Sequence, residues 1–208
     1  MQLVDGNNWH WRCEDPLLSV LILTIPSRAQ YIAKLLASLD AQKEEGVEVI
    51  VNSDQRVKTI GAKRQEALAA SKGLYVSFID DDDRVSETFL FQILQATRFN
   101  PDVITFEQEA VINHSNPFKV RFSIDHPRNQ PLSRRPDGNL ADIQRKPFHM
   151  CAWRGDIARR HPFNDISWGE DWAWCASMLS KDVRTEYHIE EVLHFYEFNQ
   201  ATSESIKR

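Results

Sequence analysis

The sequence has only three cysteines and no long apolar run. Cys13, Cys151 and Cys175 show no C-x-x-C spacing, which argues against both a disulfide framework and a zinc knuckle. No segment approaches the roughly 20 apolar residues that cross a bilayer. The amino-terminal residues also lack the basic and apolar regions of a signal peptide. We therefore expect a cytoplasmic protein with reduced thiols and no transmembrane segment.

The chain has 208 residues of ordinary globular composition, which suits a single domain. Its 30 acidic residues exceed its 25 basic residues, so the formal net charge is −5. Together with 42% hydrophobic and 26% charged residues, this charge excludes a disordered chain, a collagen-like chain and a strongly basic nucleic-acid coat protein. Four acidic residues lie in one run, Asp80–Asp83. Such a run is either a solvated loop or a cation site.

Strand-like and helix-like segments alternate in the first half of the chain. Helical repeats, the first beginning after the expected cap Ser27, separate the strand-like segments. This alternation is typical of an α/β fold with a parallel sheet, whose ligands bind beyond the carboxyl ends of the strands. Four apolar segments have the character of buried strands: residues 18–24, 47–51, 74–79 and 103–106.

The second half of the chain is less regular. Residues 113–147 hold five of the nine prolines and seven basic residues against three acidic ones. We interpret them as a basic, irregular excursion with a hairpin near residues 118–124. Order is expected to return with a helix near Gly169 and strands over residues 185–189 and 192–196. Within one domain, the chain then divides into an arm (1–16), a strand–helix half (17–112), the excursion (113–147) and a second half with a polar tail (148–208).

Polar clusters follow three of the predicted strands. Carboxylates packed as densely as Asp80–Asp83 suit Mg²⁺ or Mn²⁺, which takes further ligands from a substrate diphosphate. Pro26-Ser27-Arg28 and Asp54 can hold a base and a ribose, although Ser27 can equally be a helix cap. Three basic residues lie on or before the helix that follows Asp54, where an anion is favoured, although Lys63 can also belong to a solvated face: Lys58, Lys63 and Arg64.

Two acidic residues are flanked by tryptophans in the segment Trp168-Gly169-Glu170-Asp171-Trp172. Acidic residues in the first turn of a helix are favoured by its dipole without any function. A carboxylate beside aromatic surface can, however, hold a sugar ring and take a proton from its hydroxyl. The segment is therefore a candidate catalytic site.

In this order and spacing, the motifs resemble those of family 2 glycosyltransferases with the GT-A fold, over residues 17–199. Gln65 departs from the family pattern, which has Asn at this position. The resemblance rests on the Val20–Leu23 strand with Pro26-Ser27-Arg28, the strand that ends in Asp54, the segment Gly61-Ala62-Lys63-Arg64-Gln65, the strand that enters the Asp-x-Asp motif at Asp80, and Gly169-Glu170-Asp171-Trp172.

The resemblance implies a fold and an activity. The fold is a mostly parallel, Rossmann-like central sheet flanked by helices, with a smaller mixed region on the acceptor side. The activity is metal-dependent, inverting transfer of a hexosyl or pentosyl unit to an acceptor hydroxyl. The donor is a nucleotide-diphosphate sugar, with a UDP-sugar favoured.

The resemblance also implies residue roles. Asp80 and Asp82 bind Mn²⁺ or Mg²⁺, and His194 lies near the metal-bound diphosphate, although a lone histidine in a strand is often structural. Asp171 is the general base, with Glu170 as its neighbour and alternative. Asp54 contacts the nucleobase. The full donor-binding set is Pro26, Ser27, Arg28, Asp54, Lys58, Arg64, Asp80 and Asp81.

Two other functions stay open. A nucleotidyltransferase acting on sugar phosphates can use a similar acidic site, but it normally carries a glycine-rich loop after the first strand, where Ile25-Pro26-Ser27-Arg28 has none. The second alternative is a module that binds a nucleotide sugar without catalysing a reaction. For the acceptor we favour a saccharide, with a modified DNA base a minority possibility. Residues 113–147 are either a donor-phosphate lid or an acceptor surface.

Overall fold

A computed structural model describes residues 3–128 and 130–198. The polar tail beyond residue 198, and the first two residues of the amino-terminal arm, lie outside this range. The described residues form a mixed α/β fold in which helices flank a ten-stranded sheet, which confirms the predicted fold class. No helix in this range is long and apolar enough to span a membrane.

The strands are β1 (Gly6–Trp11), β2 (Leu18–Thr24), β3 (Val47–Ser53), β4 (Tyr75–Asp80), β5 (Arg84–Val85), β6 (Val103–Ile112), β7 (Phe118–Phe122), β8 (Ile143–Arg145), β9 (Ala152–Arg154) and β10 (Glu186–Phe198). The helices are α1 (Ala29–Asp40), α2 (Ile60–Ala70), α3 (Phe89–Thr97), α4 (Gly155–Ala158) and α5 (Glu170–Lys181). A single 3-10 turn, Pro26–Arg28, precedes α1.

The sheet order is β1-β3-β2-β4-β9-β6-β10-β5, with β7 and β8 extending from β6. Strand β2 pairs in parallel with both β3 and β4, and all three are almost wholly buried. In this register Thr24 lies beside Ser53, and Leu23 lies beside Asp80. The carboxyl ends of the three strands therefore meet at one edge of the sheet, as the alternating pattern predicts.

The amino-terminal segment is part of the sheet, so its interpretation as an arm outside the main pattern was wrong. Residues 6–11 form the edge strand β1, which pairs antiparallel with β3. The physical reason is aromatic burial: Trp11 is only 7% exposed, and its indole Nε1 donates a hydrogen bond to Asp40 Oδ1 at 2.9 Å.

Other local expectations have mixed outcomes. The hairpin near residue 118 is confirmed, since β7 pairs antiparallel with β6, and β8 pairs in parallel with β7. The two final strands are one strand, β10, whose pairing with β6 shifts register around Val192. Ser27 does not cap α1, because the helix begins after Arg28 without a side-chain cap. Thr59 does cap α2, accepting a hydrogen bond from Ala62 N at 3.0 Å.

Helix α2 is held against the loop that leads into α5. The backbone N–H of Gly61 donates to Ile166 O at 2.9 Å, and the Thr59 hydroxyl donates to Asp165 Oδ1 at 2.5 Å. A Cβ atom on Gly61 would overlap the carbonyl oxygen of Asn164. Only glycine permits this approach, which fixes the start of α5 relative to α2.

We expect Gly61→Ala to destabilise the fold. Helix propensity alone predicts a gain of roughly 0.5–1 kcal/mol for Gly→Ala inside a helix. The overlap with Asn164 predicts a loss of about 1–3 kcal/mol, because backbone must move. The free energy of unfolding in urea gives the sign directly, and an unchanged or raised value would contradict the close-approach explanation.

Candidate active site

A cleft of about 760 Å³ opens beyond the carboxyl ends of β2 and β4. This volume lies within the range of ligand pockets. The walls come from several parts of the chain: the end of β2 with Arg28, the start of α2, the aspartate run that begins at the end of β4, and residues 167–172 at the start of α5. Arg128, Arg145 and Phe148, together with Tyr196 and Phe198 of β10, complete the lining. The cleft thus brings together residues as far apart in the chain as Leu23 and Phe198.

The four aspartates of the run have different surroundings. Asp81 is buried and accepts hydrogen bonds from the Thr24 hydroxyl at 2.6 Å and Arg28 Nε at 2.8 Å. Asp83 is also buried, and its carboxylate lies 3.1 Å from His194 Nε2. Burial raises the pKa of both carboxyls, and the contacts with Arg28 and Thr24 at Asp81 and with His194 at Asp83 offset only part of this effect. Both side chains are therefore structural anchors.

The alternate aspartates, Asp80 and Asp82, face the cleft. Their side chains are 40% and 47% exposed. Asp82 Oδ2 lies 2.7 Å from Arg28 Nη2. Burial around Asp80 disfavours its charge, but Arg64 and His149 outweigh this and hold its pKa well below its usual range. The Asp-x-Asp spacing thus exposes two carboxylates to the cleft, whereas the intervening Asp81 lines the cleft but is largely buried against Thr24 and Arg28.

Two buried cations link Asp80 to the acidic pair of α5. Arg64 Nη2 lies 3.0 Å from Asp80 Oδ1, and Arg64 Nε lies 3.3 Å from Glu170 Oε1. His149 lies between Asp80 Oδ2, at 3.6 Å, and Asp171 Oδ2, at 3.4 Å. Burial and the Arg64 charge oppose protonation of His149, yet the two aspartates raise its pKa to about 9. At neutral pH it is therefore a cation.

The two acidic residues at the start of α5, Glu170 and Asp171, also differ in their burial and in the direction of their pKa shifts. Gly169, with φ of +77°, permits the left-handed turn into the helix. Glu170 is 4% exposed, and burial raises its pKa although Arg64 partly offsets this. Burial also disfavours the charge of Asp171, but His149 and Arg64 hold its pKa below its usual range. Asp171 is therefore an ionised carboxylate at the cleft wall, able to accept a proton.

Several residues of the expected donor-binding set lie outside the cleft. Asp54 is 1% exposed and is occupied by protein partners. Its carboxylate accepts hydrogen bonds from the backbone N–H groups of Val57 and Lys58 and pairs with the ammonium of Lys63. The Lys58 side chain instead contacts Glu66 at 2.6 Å, away from the cleft.

Pro26 and Ser27 also fall outside the cleft wall, since the 3-10 turn directs them outward and only Arg28 of this motif faces the site. His194 is 1% exposed and held between Asp83 and the Gln108 amide, so it is a core residue rather than a ligand of the cleft. Lys63 does line the cleft, but buried and paired with Asp54 at 2.9 Å rather than on a solvated face.

Sequence reasoning missed several residues of the site, among them His149, Arg128 and Arg145. His149 precedes a short buried strand, and a single histidine there carries no motif signal. The other two come from the basic excursion, whose charge marked the segment but not which arginines enter the cleft.

The exposed carboxylates of Asp80 and Asp82 fit a hard divalent cation only in part. Within residues 3–128 and 130–198, no three histidine, cysteine or acidic side chains form a cluster that could hold a metal. Mg²⁺ and Mn²⁺ commonly use one or two protein carboxylates and take their remaining ligands from water and substrate phosphates. The donor set therefore fits a metal that arrives with a phosphorylated ligand.

The sequence matches no protein-family model and no curated protein. The fold is similar to solved structures of the glycosyltransferase TarS of S. aureus. TarS 1–349 in complex with UDP-GlcNAc has a TM-score of 0.64 and 14% identity over 91% of this chain. The complex of TarS 1–349 with UDP has a TM-score of 0.63 and 16% identity over 88% of this chain. A further TarS structure has a TM-score of 0.62 and 16% identity over 86% of this chain.

This chain spans 60% of the two TarS 1–349 chains and 36% of the third. At 14–16% identity, the likeness shows the fold alone, which is the mixed α/β fold that TarS also has.

We expect the buried His149 cation to make stability fall as pH rises. With a folded pKa near 9 against an ordinary value of 6.5, its contribution is fully present below pH 6.5 and is lost through pH 9. The slope is up to roughly 1.4 kcal/mol per pH unit in this window.

Urea unfolding of the metal-free protein in EDTA, between pH 6 and 9.5, measures this slope. The difference between wild type and His149→Gln removes the contributions of other titrating groups. Parallel stability curves for the two proteins would show that His149 is not held as a cation.

Proposed function

We propose that this protein transfers a sugar from a UDP-sugar to an acceptor hydroxyl with inversion at the anomeric carbon. The observation that carries the proposal is the meeting of two motifs in one cleft. Asp80 and Asp82 occupy one part of its wall, and the ionised Asp171 occupies another, 3.4 Å from the histidine that also contacts Asp80. An acidic site beside a second, proton-accepting carboxylate suits transfer from a phosphorylated donor.

The choice of donor is supported by the structural neighbours. TarS, whose fold is similar, has been solved with UDP and with UDP-GlcNAc. The cleft volume of about 760 Å³ is large enough for a nucleotide sugar with part of an acceptor. We therefore propose a UDP-linked hexose or pentose as the donor and a saccharide as the acceptor.

Asp80 and Asp82 are the residues that we propose to hold Mn²⁺ or Mg²⁺. A bound divalent ion would supply charge stabilisation to the departing diphosphate. Arg28 is within 2.7 Å of both Asp81 and Asp82, so it fixes the orientation of the run. Arg64 balances the charge of Asp80 and Glu170 at the base of the cleft.

Asp171 is the proposed general base. It takes the proton of the acceptor hydroxyl while the acceptor oxygen bonds to the anomeric carbon. The bond from that carbon to the diphosphate breaks on the opposite face, and UDP leaves with the electron pair. His149 orients Asp171 and keeps it ionised. Glu170, buried on Arg64, is the less accessible of the two acids.

Asp171→Asn should abolish transfer while donor binding persists. The amide keeps the shape of the side chain but cannot accept the proton, so UDP release should fall by roughly 10²–10⁴-fold. UDP release from UDP-GlcNAc with a panel of saccharide acceptors measures turnover, and calorimetry measures UDP affinity. Asp125→Asn, an exposed acid outside the cleft wall, is the matched control. Near-native release by Asp171→Asn would overturn the base assignment.

Metal dependence is tested at Asp82, the more exposed carboxylate of the pair. We expect Asp82→Ala to weaken UDP binding in the presence of Mn²⁺ at least tenfold, yet to change it little in EDTA, because the lost carboxylate acts through the ion. Wild-type turnover should stop in EDTA and return with excess Mn²⁺. Full activity in EDTA would remove the metal from the proposal.

A further inference from the structure

The cleft contains two kinds of basic side chain. Arg28, Lys63 and Arg64 each lie 2.7–3.0 Å from a carboxylate oxygen of the protein, so their charges are already balanced. Arg128 and Arg145 also line the cleft, but neither forms an ion pair with a carboxylate of the described residues. An uncompensated guanidinium at a cleft wall is available for an anionic ligand.

Aromatic rings hold both of these guanidinium groups in place. The Arg128 guanidinium lies 3.8 Å from the centroid of the Trp172 ring, and that of Arg145 lies 4.4 Å from the Phe148 ring. A stacked guanidinium is restrained in its plane while its N–H donors point outward along the edge. Stacking therefore prepares both groups for bidentate contacts without using their hydrogen-bond donors.

The second observation concerns a donor atom that the protein leaves unused. Arg145 Nε is buried and has no hydrogen-bond partner among the described residues. A buried, unsatisfied N–H is costly, and such atoms are normally paired by protein, water or ligand. The same is true of Nη1 of Arg64, whose side chain is 4% exposed and lines the same cleft.

The aromatic rings that hold Arg128 and Arg145 are chain neighbours of Asp171 and His149. Trp172 directly follows Asp171 in the chain, and Phe148 directly precedes His149. The stacked arginines are therefore attached to the side of the cleft that carries the proposed base. They come from the basic excursion, residues 113–147, for which the proposed mechanism has no other use.

We infer that Arg128 and Arg145 form a phosphate-binding pair in the cleft. The inference rests on the proposed function for the identity of its ligand, which is either the diphosphate of the donor or a phosphate group on the acceptor. In both cases the recognised chemistry is the same: phosphate oxygens accept hydrogen bonds from two planar guanidinium groups. A neutral sugar ring offers no charge that would need two uncompensated cations.

Calorimetric titration of the double variant Arg128→Gln/Arg145→Gln tests the pair. The probes are UDP, uridine and inorganic pyrophosphate, each with Mn²⁺, and then pyrophosphate added to UDP-saturated protein. The control is Arg134→Gln, a third arginine of the excursion, which lies outside the cleft wall and donates to Gly138 O. Thermal unfolding checks that the variants are folded, and Arg128→Gln alone is the fallback because its side chain is exposed.

We expect the affinity for pyrophosphate to fall about tenfold or more in the double variant and not in the control. If the pair binds the donor diphosphate, the affinity of the double variant for UDP falls in parallel with that for pyrophosphate, whereas its affinity for uridine is unchanged. If it binds an acceptor phosphate, UDP is unaffected and pyrophosphate binding to UDP-saturated protein is lost. Unchanged affinities for UDP and pyrophosphate in both titrations would overturn the inference.

The outcomes also separate this inference from the proposed function. Wild-type protein that binds pyrophosphate through the pair but does not bind UDP would refute the UDP-sugar proposal and leave the phosphate pair standing. The opposite outcome is that wild-type protein binds UDP, and that the double variant keeps the wild-type affinities for UDP and pyrophosphate. This would refute the phosphate pair and leave the UDP-sugar proposal standing.

Discussion

The structure depends on packing six carboxylates, those of Asp80–Asp83, Glu170 and Asp171, around one cleft at the edge of a sheet. Isolated carboxylates at this density would repel one another and lose their charge. Two buried cations, Arg64 and His149, prevent this by bridging Asp80 to Glu170 and Asp171 at 3.0–3.6 Å. These bridges cross between β4 and α5, so the contacts that balance the charges of the site also hold the two elements together.

The same constraint explains why α2 is an unusual helix. Its only large apolar side chains are Ile60 and Leu68, yet it buries Lys63 and Arg64, because both have carboxylate partners beneath the cleft. Gly61 lets its first turn approach the loop before α5, so Arg64 can reach Glu170. Fold and site are thus held by the same contacts: a change that loosens α2 also separates the cation from its two acids.

The basic excursion gains a definite structural meaning. Part of it extends the sheet as β7 and β8, and many of its charges are taken up by protein partners, as in the contact of Lys119 with Glu107 at 2.7 Å. Arg128 and Arg145 differ because aromatic rings rather than carboxylates hold them. A segment that reads as uniformly basic therefore contains both structural ion pairs and two cations that face the cleft.

The sequence by itself determined the α/β fold class, the strand that ends at Asp80, the helix that begins at Glu170, and the meeting of strand ends at one edge, because apolar periodicity and chain direction are local properties. It could not assign roles within the acidic and polar motifs. The positions of Asp54 and His194 in the chain match those of functional residues in the family, but both side chains are buried. Asp54 pairs with Lys63, and His194 contacts Asp83. Only the tertiary structure selected His149, Arg128 and Arg145: the partners of His149 and Arg128 lie far away in the chain, and packing decides that the Arg145 side chain lines the cleft.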